Sequence, residues 1–176
     1  MVVALKGLMQ GEIPKAVHEA ISQFSCKDKD VEDFLKTKAF DFERRDKSRT
    51  YLVFADENNA LIGYFTLSLN ALPFRSEVAK NTIKRIDGFS KDVKAVGIVL
   101  IGQFGKDCNL AKHFDGSRLL DICMESVYKA YDVVGGRFVM LECLEIQQVV
   151  SFYKKNDFVI LQKDEKDKYL QMIRRL

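Results

Sequence analysis

Apolar positions change their period several times along this 176-residue chain, and each change marks an element. From Asp30 onward Val31, Phe34, Leu35, Ala39 and Phe42 recur at three- and four-residue intervals, which predicts an amphipathic helix with one buried stripe. Residues 50–55 (TYLVFA) and 61–69 (LIGYFTLSL) read as strands. Between them Asp56, Glu57, Asn58 and Asn59 have the composition of a turn joining antiparallel neighbours. Pro73 breaks that pattern, and residues 76–94 are polar and lysine-rich, predicting a short helix followed by a loop through Gly88. Residues 1–27 carry the weakest signal: a short strand around 3–9, then a short helix opened by Pro14 and ending near Phe24.

The chain is organised around residues 95–120, AVGIVLIGQFGKDCNLAKHFDGSRLL, where an apolar run stops, a polar loop comes next and a long helix begins at Gly116. Leu119, Cys123, Val127, Ala130 and Val134 fall on one face of that helix, and Gly135-Gly136 supply its C-terminal stop. Residues 137–158 repeat the layout, with a strand over 138–144 and a helix over 147–156 that turns Val149, Val150 and Tyr153 toward the core. Two short strands, 158–162 and 168–173, flank the charged turn KDEKDK. This order predicts a single domain, 1–176, built as a mixed α/β sheet with helices on both faces.

Composition narrows the picture. Hydrophobic residues at 47% and charged residues at 30% describe a folded chain, and a net charge of +3 permits an anionic partner without demanding one. Two clusters carry the positive charge: Arg44, Arg45, Lys47 and Arg49 at a helix end, and Lys80, Lys84, Arg85, Lys91 and Lys94 further on. Each reads either as solvated surface or as a contact for polyanion phosphates. Cys26, Cys108, Cys123 and Cys143 form no CxxC pair, and His18 and His113 lack metal-ligand spacing, so reduced thiols and no metal are expected. Lys6 ends the apolar run of Val2, Val3, Ala4 and Leu5 well short of a signal segment, and no stretch reaches membrane-spanning length. A cytoplasmic protein with no membrane partner is the expectation.

A strand that empties into a helix N-terminus suits a diphosphate, because the first helical turn leaves N–H groups unpaired at the positive end of the macrodipole. The 95–158 combination resembles the acetyl-CoA-dependent N-acetyltransferases of the GNAT superfamily, whose FYxxxGF-like segment is matched by FYKKNDF. More narrowly, the chain is similar to the toxin branch found in toxin–antitoxin pairs. The similarity runs through Phe24-Ser25-Cys26, Asp33-Phe34-Leu35, Ser48-Arg49-Thr50-Tyr51, Gly63-Tyr64-Phe65-Thr66-Leu67 and Leu100-Ile101-Gly102-Gln103-Phe104.

The resemblance implies the GNAT fold, acetyl-CoA as cosubstrate and no metal. It also implies a cofactor-binding set of Gln103, Phe104, Gly105, Lys106, Lys112, Phe114, Asp115, Gly116, Ser117 and Arg118. Backbone N–H groups at 104–106 would polarise the thioester carbonyl, and Tyr153 would serve the departing thiolate. A phenol of ordinary pKa, about 10, is protonated at neutral pH, as a general acid must be. On spacing alone Tyr153 reads equally as a half-buried helix tyrosine. Glu142 is a candidate general base, with its direction on the strand left open. His113 reads as a surface histidine.

Departures from the family's Q/R-x-x-G-x-G/A loop are Ala111 at its first position and Phe114 at its first glycine. Phe114 restricts backbone approach, which shifts the pyrophosphate toward the side chains of Lys112, Ser117 and Arg118. Asp157 stands where the family has glycine, and Ile146 where many members have asparagine. Three readings are open: an acetyltransferase acting on the amine of aminoacyl-tRNA as a translation-blocking toxin, one acting on a protein or small amine, and a non-catalytic module that kept the fold. The first brings with it a small antitoxin protein and a homodimer as expected partners.

Overall fold

A computed structural model describes residues 1–56, 60–110 and 114–176. Its strands are β1 (Val2–Ala4), β2 (Arg49–Phe54), β3 (Leu61–Pro73), β4 (Ala95–Lys106), β5 (Phe138–Cys143), β6 (Val159–Lys163) and β7 (Leu170–Arg175). Its helices are α1 (Leu5–Leu8), α2 (Lys15–Gln23), α3 (Lys29–Asp33), α4 (Ala39–Arg44), α5 (Lys80–Asp87), α6 (Gly116–Val134) and α7 (Gln147–Lys155). The strands form one mixed sheet in the order β1-β2-β3-β4-β5-β7-β6. Only β4 and β5 among the registered pairs run parallel, as the crossover through α6 requires.

The fold divides into two compact units, Met1–Ser68 with Gly102–Glu125 and Leu69–Ile101 with Ser126–Leu176. In the first, β2 pairs antiparallel with β1 and with β3, Thr50 lying opposite Thr66. Its core gathers Leu5, Ile21, Phe24, Phe34, Leu35, Leu52 and Tyr64. In the second, β5 and β6 both pair antiparallel with β7, and Leu72, Ile86, Ile98, Met140 and Ile173 pack together.

Three departures from the sequence reading have local causes. The strand expected over 3–9 stops at Ala4, and Leu5–Leu8 turns helical so that Leu5 is fully buried. The helix begun by the Asp28 cap, whose carboxylate accepts from the N–H groups of Asp30 and Val31, passes through a π-turn at Phe34–Lys38 before α4. A π-turn inserts one extra residue and rotates the rest of the helix about its axis. The expected stripe residue Phe42 is therefore only partly buried, against Phe34, and Glu43 is fully buried instead. At the end of α6, Val134 was expected on the buried face but is 61% exposed, because the buried face of that helix ends with Val127 and the partly covered Ala130. Gly135 (φ 74°) and Gly136 (φ 132°) stop the helix as expected.

Candidate functional site

The nine described residues of the set assigned to cofactor binding fall in the first unit, and Tyr153 and Glu142 fall in the second. Ala111, Lys112 and His113 lie outside the described residues, as do Glu57, Asn58 and Asn59 of the hairpin turn.

In the first unit β4 runs to Lys106, past Ile101, the last residue in its register with β5. Along this extension the side chains are committed unequally. The Gln103 N–H donates to Thr66 Oγ1 (2.9 Å), whereas Gln103 Oε1 is buried with no hydrogen-bond partner. A buried acceptor left unpaired costs roughly 1–3 kcal/mol, so an N–H donor brought by a ligand would stabilise it. Gly105 is a packing glycine: a Cβ there would meet Val31 Cγ1 at 2.7 Å, so a side chain at this position would force α3 or Val31 to shift. Lys106 Nζ donates to the Phe114 carbonyl (2.8 Å) and draws the two ends of the loop together.

Asp107 was not singled out by its sequence context, and it organises this loop. Its carboxylate is buried, accepting from the N–H of Ser25 (2.9 Å) at one oxygen and from Asn109 (2.7 Å) and Leu110 (3.1 Å) at the other. Cys108 N–H returns a bond to Ser25 O (2.8 Å), so the segment before α3 clamps the loop. The one signal available was an acidic residue right after a strand, where the chain must turn.

At the start of α6, Asp115 caps the helix, its Oδ1 accepting from the Ser117 N–H (3.2 Å). A carboxylate thus already sits where the macrodipole favours an anion. Arg118 lies over the Phe114 ring, 5.7 Å from its centroid, and forms no ion pair among the described residues. Both line a cavity of about 540 Å3 with Phe54, Ile62, Leu110 and Ile122. Gly116 and Ser117 occupy the first turn, with Lys106 tied to the Phe114 carbonyl, Arg118 over the Phe114 ring and Gln103 Oε1 without a hydrogen-bond partner. These residues fit the phosphate groups and amide N–H groups of a pantetheine-bearing nucleotide: two cations beside a helix N-terminus, and an acceptor awaiting a donor.

In the second unit Tyr153 projects from α7, 8% exposed, edge-on to Phe152 and Phe158 with centroids 5.1 and 5.8 Å away. Asp157, two residues past α7, adopts φ 65°, the left-handed conformation that glycine takes without strain. Glu142 is exposed on β5, and its Oε1 accepts from Gln171 Nε2 (2.8 Å). Gln171 Oε1 in turn accepts from the buried Gln162, which also donates to Pro73 O (2.8 Å). Alternation places Glu142 on the face of Phe138 and Met140. Among the described residues no group of three or more His, Cys, Asp or Glu side chains could hold a metal ion, and no helix is long and apolar enough to cross a membrane.

No family model and no curated protein matches the chain. Solved structures do. A bacterial toxin superposes with a TM-score of 0.74 at 17% identity, covering 99% of this chain and 90% of its own. A tyrosine-to-phenylalanine mutant of KacT gives 0.68 at 21% identity, with 97% and 93% covered. AtaT complexed with acetyl-methionyl-tRNAfMet gives 0.67 at 21% identity, with 85% of each chain covered. Other AtaT structures hold acetyl-CoA or the antitoxin AtaR. Over most of its length the chain has the GNAT fold of these toxin structures.

Proposed function

We propose that this protein is an acetyl-CoA-dependent N-acetyltransferase whose acceptor is the amine of an aminoacyl-tRNA, acting as a toxin held in check by a small antitoxin protein. The observation that carries this reading is the strand-to-helix turn at 103–118, set in the fold of a protein solved with acetyl-methionyl-tRNA. Acetyl-CoA supplies the activated thioester. Lys106, Arg118, Ser117 and the first turn of α6 hold its phosphates, with Lys112 added from the loop. Gln103 Oε1 accepts from an amide N–H of the pantetheine arm. Backbone N–H groups at Phe104, Gly105 and Lys106 supply donors for the oxyanion, and the Tyr153 hydroxyl supplies a proton to the departing sulfur. Glu142 takes the acceptor amine's proton, its carboxylate oriented by Gln171. The chain acts in the cytoplasm, where its aminoacyl-tRNA substrate is found.

The test is transfer of labelled acetyl from acetyl-CoA to charged tRNA, with uncharged tRNA and Tyr153→Phe protein alongside. Label on charged tRNA alone, reduced roughly a hundredfold by the substitution, supports both the acceptor and the tyrosine's role. Acetyl-CoA binding without any label on tRNA would leave a protein or small-amine acetyltransferase. A second reading, the non-catalytic module, is favoured by the Asp115 carboxylate on the α6 N-terminus. Failure to bind acetyl-CoA at millimolar concentration would select it.

A further inference from the structure

The turn after α5 holds an aromatic ring out in water. Phe89 is 90% exposed, on a segment that is firmly built. Gly88 closes α5 in the left-handed conformation (φ 97°), its N–H donating to Lys84 O (2.8 Å). The Asp87 Oδ2 accepts from the N–H groups of Phe89 (3.1 Å) and Ser90 (2.7 Å), and Ser90 Oγ accepts from that of Asp92 (3.1 Å). Lys80 pairs with Asp92 across the turn (2.9 Å). The ordered turn thus presents an aromatic face on which a planar group can stack.

Basic residues flank the ring along the chain. Lys84 and Arg85 lie in the last turn of α5 and Lys91 and Lys94 just beyond, and none of the four forms an ion pair among the described residues. Arg137 lies against Gly88: a Cβ on that glycine would be 2.8 Å from Arg137 Nη1. Beside the turn opens a cavity of about 300 Å3 whose lining includes Asp87, Val96, Gly97, Arg137 and Phe138.

We propose that this turn is a docking surface for unpaired nucleotides of an RNA, one base stacking on Phe89 and a neighbouring nucleotide entering the Asp87–Arg137 cavity. The choice of RNA rests on the function proposed above; the chemistry of the surface is independent of it. Stacking on an exposed aromatic is how proteins grip single strands without reading sequence, and surrounding cations neutralise the phosphates. The exposed ring favours RNA over an acidic peptide, because a base can stack on it while the phosphates meet the neighbouring cations.

The experiment is fluorescence anisotropy of the full chain with labelled oligouridylate at fixed salt, beside heparin as a polyanion without bases and polyglutamate as an acidic peptide. Phe89→Ala is expected to weaken oligouridylate binding about tenfold and to leave heparin binding unchanged, while Phe89→Trp retains wild-type affinity. Unchanged oligouridylate affinity in Phe89→Ala, an equal loss for heparin, or preference for polyglutamate would each overturn the proposal. Acetyl transfer measured on the same proteins separates the two ideas. Transfer to charged tRNA with no role for Phe89 in binding discards the surface alone, and Phe89-dependent binding without transfer discards the enzymatic reading alone.

Discussion

Two stretches of this chain gather positive charge, four basic residues over 44–49 and five over 80–94, and the fold engages them to different extents. In the cluster that ends α4, Arg49 donates to the buried Glu43 (3.0 Å) and to Asp46 (2.8 Å), Lys6 pairs with Asp46 (3.0 Å), and Arg45 pairs with Asp41 (3.0 Å). The cluster after α5 commits one lysine to Asp92 and leaves Lys84, Arg85, Lys91 and Lys94 without an ion pair among the described residues, on the stretch that carries the exposed Phe89. In the first stretch Arg45 and Arg49 are committed to neighbouring acids, whereas Arg44 and Lys47 form no ion pair among the described residues. The second keeps its charge available. A run of basic residues thus says little about a partner until the acids that reach it are known.

The largest effect is expected where the first cluster meets the core. Glu43 is fully buried and also accepts from the Thr50 N–H (2.7 Å), so Glu43→Ala leaves that N–H without its acceptor and Arg49 with Asp46 alone. A loss of about 3 kcal/mol in urea unfolding is expected. A change under about 0.5 kcal/mol would erase the distinction drawn between the clusters. Phe89→Ala should show the opposite profile, with unfolding unchanged to within about 0.5 kcal/mol and RNA affinity about tenfold lower. Smaller again, Lys84→Gln and Lys91→Gln should each lower the salt slope of RNA binding by about 1, whereas Arg45→Gln leaves it unaltered.

The smallest effect depends on pH. The hydrogen bond from Arg49, then that from Lys6, holds the Asp46 carboxyl below its ordinary value of 3.8. A depressed carboxylate contributes stability that is fully present above its unfolded value and is lost as pH falls through the lower folded value. Urea midpoints should therefore decline below pH 3.8, and Asp46→Asn should remove that portion of the decline. An identical decline in the variant would show that Asp46 does not hold the cluster.

Much of the fold was legible because its signals are local. The strand at β5, the helices α6 and α7 and the Gly135-Gly136 stop all lie where period and glycine chemistry put them. The candidate site was legible only in outline. The strand-to-helix turn was visible, but the clamp from Asp107 to Ser25 joins positions 82 residues apart, and no local pattern announces it. The commitments of Lys106 to Phe114 O and of Asp115 to the Ser117 N–H depend on loop geometry rather than on residue type.

What the sequence determined by itself is the succession of elements and a mixed sheet in which β4 empties into the long helix α6, since apolar period, turn residues and glycine stops act over a few positions. Tertiary structure alone decided which charges are paired and which faces are covered. The π-turn rotated Glu43 inward to meet Arg49, the buried face of α6 ended before Val134, and Phe89 stayed in water. The reason is physical: burial and ion pairing belong to atoms brought together from distant positions, and one extra residue in a helical turn is enough to exchange which side chain arrives.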